Sequence, residues 1–121
     1  MLTFYHCNHS VLDIDRSVAF YEKFFGLKKY RDITAYEGSL RLVFMRDSRT
    51  EFRLELTWNR DHIQPYNLGE REFHVAFYSD NFEKDLEQHK EAGIVVSEDK
   101  ENSIYFIQDP DGYMVEVVKK P

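Results

Sequence analysis

One cysteine, three prolines and five glycines are all that 121 residues contain of the usual covalent and conformational punctuation. The lone thiol, Cys7, excludes an internal disulfide and fits a reducing compartment. No apolar run approaches the roughly 20 residues that a membrane-spanning helix needs. The start, MLTFYHCNHS, lacks the basic region and apolar segment of a secretory leader, so a soluble cytoplasmic domain is expected. Positive charge is scarce too: 16 Lys and Arg against 22 Asp and Glu leave a net charge of −6. With no basic stripe along the chain, nucleic acid and anionic membrane are excluded as expected partners. No Gly-rich phosphate loop or serine nucleophile elbow is present. Aromatic side chains are plentiful, with 10 Phe and 8 Tyr, and 42% of residues are hydrophobic, enough for one packed domain.

Punctuation divides the chain into two similar halves. Residues 3–10 alternate as a strand, and DIDRSVAFYEKFFGL follows with Asp15 as a candidate N-cap, Val18, Tyr21, Phe24 and Phe25 at helical spacing, and Gly26 as the stop. Strand-like runs at 28–35, 40–45 and 52–58 are separated by turn-like segments, which predicts a meander. Residues 59–71 are polar, contain Pro65 and Gly69, and read as a linker between a first module of about 1–60 and a second of about 72–121. The pattern then restarts. EFHVAFYS is a strand, and DNFEKDLEQHKEAGI is a helix with Asp80 and Glu83 at capping-box spacing and Phe82, Leu86 and His89 on one face. The runs IVVSE, SIYFIQ and YMVEVVK are strands, the last two joined by DPDG, whose Pro and Gly suit a type I turn. Each half thus reads strand, helix and three strands, an α+β arrangement of two tandem βαβββ modules.

The repeat turns isolated oddities into a pattern. His6 precedes Gly26 by 20 residues and His74 precedes Gly93 by 19; Glu55 and Glu116 each interrupt the last apolar strand of a half. A carboxylate inside an apolar strand is costly to bury unless something pairs with it. Strand alternation puts Glu55 on the face of Arg53 and Thr57, opposite Phe52, Leu54 and Leu56. If the first and last strands of each half lie side by side in a curved sheet, each half aims one imidazole and one carboxylate into a concavity. Two neutral and two anionic donors together neutralise a divalent cation, and on a six-coordinate ion they leave two positions for water or substrate. Taken singly, a strand histidine is more often a hydrogen-bonded core or surface residue, and a strand glutamate more often faces solvent. Only the repetition favours a metal.

Four segments carry a resemblance that covers nearly the whole chain in order. HCNHSVLDIDRSVAFYEKFFGLKKYR, LELTWN, FHVAF and DPDGYMVEVV resemble signature segments of glyoxalase I, within the vicinal-oxygen-chelate (glyoxalase/bleomycin resistance/dioxygenase) superfamily. The resemblance implies an open, cupped mixed sheet built from the two modules around a divalent metal, zinc or nickel foremost, with cobalt or manganese as alternatives. It implies His6, Glu55, His74 and Glu116 as the ligands, Glu116 as the catalytic base and Glu55 as its catalytic partner on the opposite face. The implied reaction is that of a lactoylglutathione lyase: isomerisation of the hemithioacetal of a 2-oxoaldehyde such as methylglyoxal into a 2-hydroxyacyl thioester, by proton transfer through an enediolate. It further implies a homodimer whose sites take His6 and Glu55 from one chain and His74 and Glu116 from the other. Glu55 separates the chain from the related acyl-CoA epimerases, which carry glutamine there. Other expectations of the same fold are such an epimerase or a non-catalytic binding or resistance module.

Two departures bear on the thiol. Glutathione-using relatives carry an arginine four residues after the first histidine, where this chain has Ser10, and SEDKENS is acidic where they are basic and glycine-rich, with Lys100 a weak substitute. Asn59 matches a residue that contacts glutathione. The reaction class is therefore implied more firmly than glutathione itself. Cys7, next to His6, points to the opposite strand face and is expected to be an inert buried thiol; His9 is read as structural or surface, and His62 and His89 as surface. Trp58 and Tyr66 are candidates for a pocket wall.

Overall fold

Asp13, rather than Asp15, starts the first helix. Its Oδ1 accepts from the Arg16 backbone N–H at 3.1 Å, and its extended backbone lets the side chain reach over the open N–H groups of the first turn. The choice is made by packing: helix α1 (Ile14–Phe25) buries Ile14, Ser17, Val18 and Tyr21. Asp15 falls within the first turn instead, and accepts from Arg41 Nη1 at 3.1 Å. Gly26, at φ 66, ends the helix by donating to Glu22 O, while Leu27 donates back to Tyr21 O.

The computed structural model describes all residues, 1–121, as two units, Met1–Tyr66 and Asn67–Pro121. The first holds β1 (His6–Ser10), α1, β2 (Lys28–Ala35), β3 (Leu40–Arg46) and β4 (Arg53–Asn59). Its sheet runs β1-β4-β3-β2, with β1 parallel to β4 and the other pairs antiparallel. The second holds β5 (Val75–Ser79), α2 (Phe82–Glu91), β6 (Val95–Asp99), β7 (Ile104–Gln108) and β8 (Met114–Lys119). Its order, β5-β8-β7-β6 with β5 parallel to β8, repeats the first. Two tandem βαβββ modules of α+β class are thus present. No helix is long and apolar enough to cross a membrane.

In each unit one sheet face packs on the helix. Val43, Met45, Leu54 and Leu56 are buried beneath α1, and Tyr105, Ile107, Val115 and Val117 beneath α2. A one-residue slip of β4 would bring Leu54 and Leu56 to the open face, and losing a buried leucine side chain costs about 2–5 kcal/mol. That penalty far exceeds what any surface ion pair of the sheet supplies, so the apolar alternation holds the register.

Several expected boundaries move. β1 begins at His6, and β5 begins at Val75, so His6 opens its strand and His74 precedes its own instead of lying within it. Both histidines lie at the very start of the parallel ladders: Arg53, the first residue of β4, pairs with His6, and the β5–β8 pairing begins at Val75 and Val115. The helix expected from the Asp80 and Glu83 spacing, α2, begins at Phe82. Asn81 holds the N-cap position without a side-chain bond, and Glu83 accepts from Lys119 Nζ at 2.9 Å. Ser79 Oγ accepts from the Asn81 N–H and donates to Asp85 Oδ2. His89 is not a surface residue. It is buried, with Nδ1 2.9 Å from the Tyr105 hydroxyl, because its face of α2 is the one turned to the sheet. His9 is likewise buried, beside the Tyr21 hydroxyl at 3.3 Å.

The DPDG turn closes as expected, with the Gly112 N–H donating to Asp109 O at 3.0 Å. Buried Asp109 accepts on Oδ1 from the N–H groups of Asp111 and Tyr113, both at 2.9 Å, which pins the entry to β8.

Candidate active site

Each unit brings one histidine onto one glutamate. In the first, His6 Nε2 lies 3.6 Å from Glu55 Oε1; in the second, His74 Nε2 lies 3.6 Å from Glu116 Oε1. The parallel pairing produces both. Asn8 is opposite Glu55 and Ala76 is opposite Glu116, so each histidine sits two residues before the position facing its glutamate. Same-face neighbours on adjacent strands then meet. The carboxylates are largely sheltered, with 15% and 20% of their side chains exposed.

The imidazoles are set for coordination. His74 Nδ1 lies 2.9 Å from the Glu72 carbonyl oxygen, which can only accept, so Nδ1 carries a proton and Nε2 is the ring nitrogen turned toward Glu116. Aromatic edges fix both rings: Phe44 against His6 with centroids 5.5 Å apart, Phe106 against His74 at 5.0 Å. These two phenylalanines are equivalent, since Phe44 pairs with Glu55 and Phe106 with Glu116 across their antiparallel ladders. The sequence carried no signal for them beyond being two of ten Phe, with spacings from the glutamates of 11 and 10 residues. A cleft of about 350 Å³ opens beside His74, lined also by Arg71, Ser97, Phe106 and Met114.

The remaining candidates are placed as follows. Asn59 ends β4, and its Oδ1 accepts from the Asp61 N–H at 2.9 Å. Ser10 Oγ donates to Asn8 Oδ1 at 3.1 Å. Tyr66 stacks on His62, with centroids 3.8 Å apart. Burial pushes the Cys7 thiol above its ordinary range, which leaves it a poor nucleophile. Neither unit holds a third His, Cys, Asp or Glu near enough to its pair to form a metal-binding group.

Residues 3–117 match the Glyoxalase/Bleomycin resistance protein/Dioxygenase superfamily. The chain belongs to this superfamily. Within the glyoxalase superfamily it is similar to lactoylglutathione lyase of Escherichia coli O157:H7, at 31% identity over 95% of this chain and 90% of the relative. Among solved structures, a trypanothione-dependent glyoxalase I of Leishmania major superimposes with a TM-score of 0.86 at 27% identity, over 98% of this chain and 87% of that one. Glyoxalase I of Zea mays gives 0.83 at 31% identity, over 97% of this chain but only 44% of the maize chain. Together these make the protein a glyoxalase I-like enzyme.

The donors suit the divalent metal that the superfamily generally binds. Imidazole nitrogen and carboxylate oxygen are both donors that divalent transition metals take. The Glu72 carbonyl behind His74 is the kind of outer partner that fixes tautomer and ring orientation at metal centres.

Proposed function

We propose that the protein is a metal-dependent isomerase of glyoxalase I type, converting the hemithioacetal of a 2-oxoaldehyde such as methylglyoxal and a thiol into a 2-hydroxyacyl thioester. The observation that carries this reading is the pair of matched His–Glu half-sites, His6 with Glu55 and His74 with Glu116, each at 3.6 Å. His6, Glu55, His74 and Glu116 would hold the ion, and what it supplies when bound is polarisation of the substrate's oxygen atoms. Glu116 is the base. Its carboxylate takes the proton from the carbon bearing sulfur and oxygen and returns it to the neighbouring carbon, so the reaction consumes and releases no proton overall. Glu55 serves the opposite face of the substrate. Phe44 and Phe106 brace the two imidazoles edge-on.

Two donors per unit complete no metal site, which supports a homodimer in which His6 and Glu55 of one protomer meet His74 and Glu116 of its partner. The maize chain, of which this one spans 44%, has room for both copies in a single polypeptide. Phe73 and Tyr78 beside the second half-site are 81% and 70% exposed, apolar surface that a partner would cover. Ser10 offers no guanidinium to grip a carboxylate, so a thiol other than glutathione fits this reading at least as well, with Asn59 as a polar contact to it. A single free cysteine accords with a cytoplasmic setting.

The test mixes two inactive variants, Glu55→Gln and Glu116→Gln, unfolded together and refolded. Shared sites predict that hybrids regain one intact site of two, so about a quarter of wild-type activity returns on random pairing. No recovery, with dimers formed, rules out sites shared in this way. Metal uptake and hemithioacetal binding by wild-type protein without any turnover would indicate a binding module instead.

A further inference from the structure

Asn8 makes the two glutamates unequal. It stands opposite Glu55 in the β1–β4 register, whereas the same place opposite Glu116 is held by Ala76. Asn8 Nδ2 donates to Glu55 Oε1 at 2.9 Å, to the Glu55 backbone carbonyl at 3.4 Å and to Thr57 Oγ1 at 2.5 Å. Its Oδ1 accepts from the Ser10 hydroxyl at 3.1 Å. The neighbours of the amide decide its orientation. A flipped amide would turn Oδ1 onto a carboxylate and a carbonyl, neither of which can donate.

Glu55 is therefore held from two sides, by Asn8 and by His6 at 3.6 Å. Glu116 faces only His74, and Ala76 brings a methyl group where Asn8 brings a donor. A tethered carboxylate keeps one rotamer, while an untethered one is free to leave a ligand position and return. We infer that Asn8, oriented by Ser10 and Thr57, is a positioning residue that anchors Glu55 as the fixed carboxylate of the site and thereby leaves Glu116 as the one that moves and carries the proton. The inference rests on the metal-dependent isomerase reading above. It adds that the division of labour between the glutamates is written into β1 and β5.

Two substitutions separate the roles. Asn8→Leu keeps the branched shape and removes the donor; outer-shell partners of metal ligands are typically worth about 10–100-fold in metal affinity, and a loss of that size is expected here. Ala76→Asn installs the tether opposite Glu116, and should lower kcat about tenfold with KM unchanged. Affinity for zinc or nickel is read on metal-free dimer by competition with a chromophoric chelator, with no turnover required. Circular dichroism and melting of the metal-free proteins check folding. Should Asn8→Leu fail to fold, Ser10→Ala frees the amide to rotate and is expected to weaken metal binding in the same direction. Wild-type affinity in the folded Asn8 or Ser10 variant, or an unchanged kcat in Ala76→Asn, overturns the proposal. Wild-type protein that takes up metal but turns over no hemithioacetal removes the isomerase reading, while the affinity of Asn8→Leu still decides whether Asn8 anchors Glu55. Wild-type protein that takes up no divalent metal overturns both.

Discussion

His74 Nε2 lies 3.6 Å from Glu116 Oε1 because the histidine precedes by two residues the position that faces Glu116 across the β5–β8 pair. His6 and Glu55 obey the same rule at the same distance on β1 and β4. A parallel pair fixes this relation without a turn between the strands, so the geometry depends on sheet register alone. Anything that slips β8 or β4 by one residue exchanges a carboxylate for a valine or a leucine.

Glu116→Gln preserves size and removes both the charge and the basicity of the proposed base. General-base catalysis is worth about 10²–10⁴-fold, so turnover should fall by that factor with melting temperature little changed. Steady-state assays with hemithioacetals of several thiols, beside a thermal melt, measure both. Wild-type turnover in this variant would remove Glu116 from the role of base.

Tyr105→Phe tests the buried centre of the second unit. The hydroxyl lies 2.9 Å from His89 Nδ1, both residues are buried, and burial pushes the phenol well above its usual titration range, so it stays a neutral donor. Removing it takes a hydrogen bond from a buried imidazole, at a cost of about 1–3 kcal/mol. Urea denaturation of the two proteins reads the difference directly.

Asp32→Asn should give a small, pH-dependent loss. Hydrogen bonds from Arg41, at 3.0 and 2.8 Å, hold the Asp32 carboxyl below the ordinary range, with Lys29 adding to the effect and partial burial opposing it. A lowered folded-state value means the stabilisation is present above the unfolded value of about 3.9 and fades as pH falls through the folded one. The side chain is 35% exposed, so solvent screening limits the effect to about 0.5–1 kcal/mol at neutral pH. Urea midpoints for wild type and variant should differ near pH 7 and converge in acid below about pH 4. A gap that stays constant into acid would assign the effect to packing.

Gly112→Ala strains the turn that leads into β8. The residue sits at φ 89, where an added Cβ is strained whatever the space, and that Cβ would also lie 3.4 Å from Arg71 Nη2. A cost of about 1–3 kcal/mol is expected from the backbone alone. Stability by denaturation and metal affinity should fall together, since the turn positions the strand that carries Glu116.

Much of this was legible along the chain, for a local reason. Apolar alternation in LRLVFM and FRLELTW, the stop at Gly26 and the turn at DPDG depend on near neighbours, and near neighbours are what a sequence displays. The two histidines and two glutamates stood out because polar residues recurred at matching places in apolar strands. Phe44 and Phe106 did not, because a phenylalanine in a strand looks the same whether it fills a core or braces an imidazole. His89 was misread for the same kind of reason: an imidazole on a charged helix is ordinary until the opposite strand supplies Tyr105.

By itself, then, the sequence determined two βαβββ modules and singled out His6, Glu55, His74 and Glu116, since periodicity and repetition are properties of order along a chain. Only the tertiary structure decided which helix start prevailed, Asp13 over Asp15, because that choice depends on which residues the sheet buries. It alone set the His–Glu distances, the contact of His74 Nδ1 with the Glu72 carbonyl and the tether from Asn8 to Glu55. Those rest on contacts between residues up to 49 positions apart, whose meeting is decided by strand pairing and not by anything adjacent in the chain.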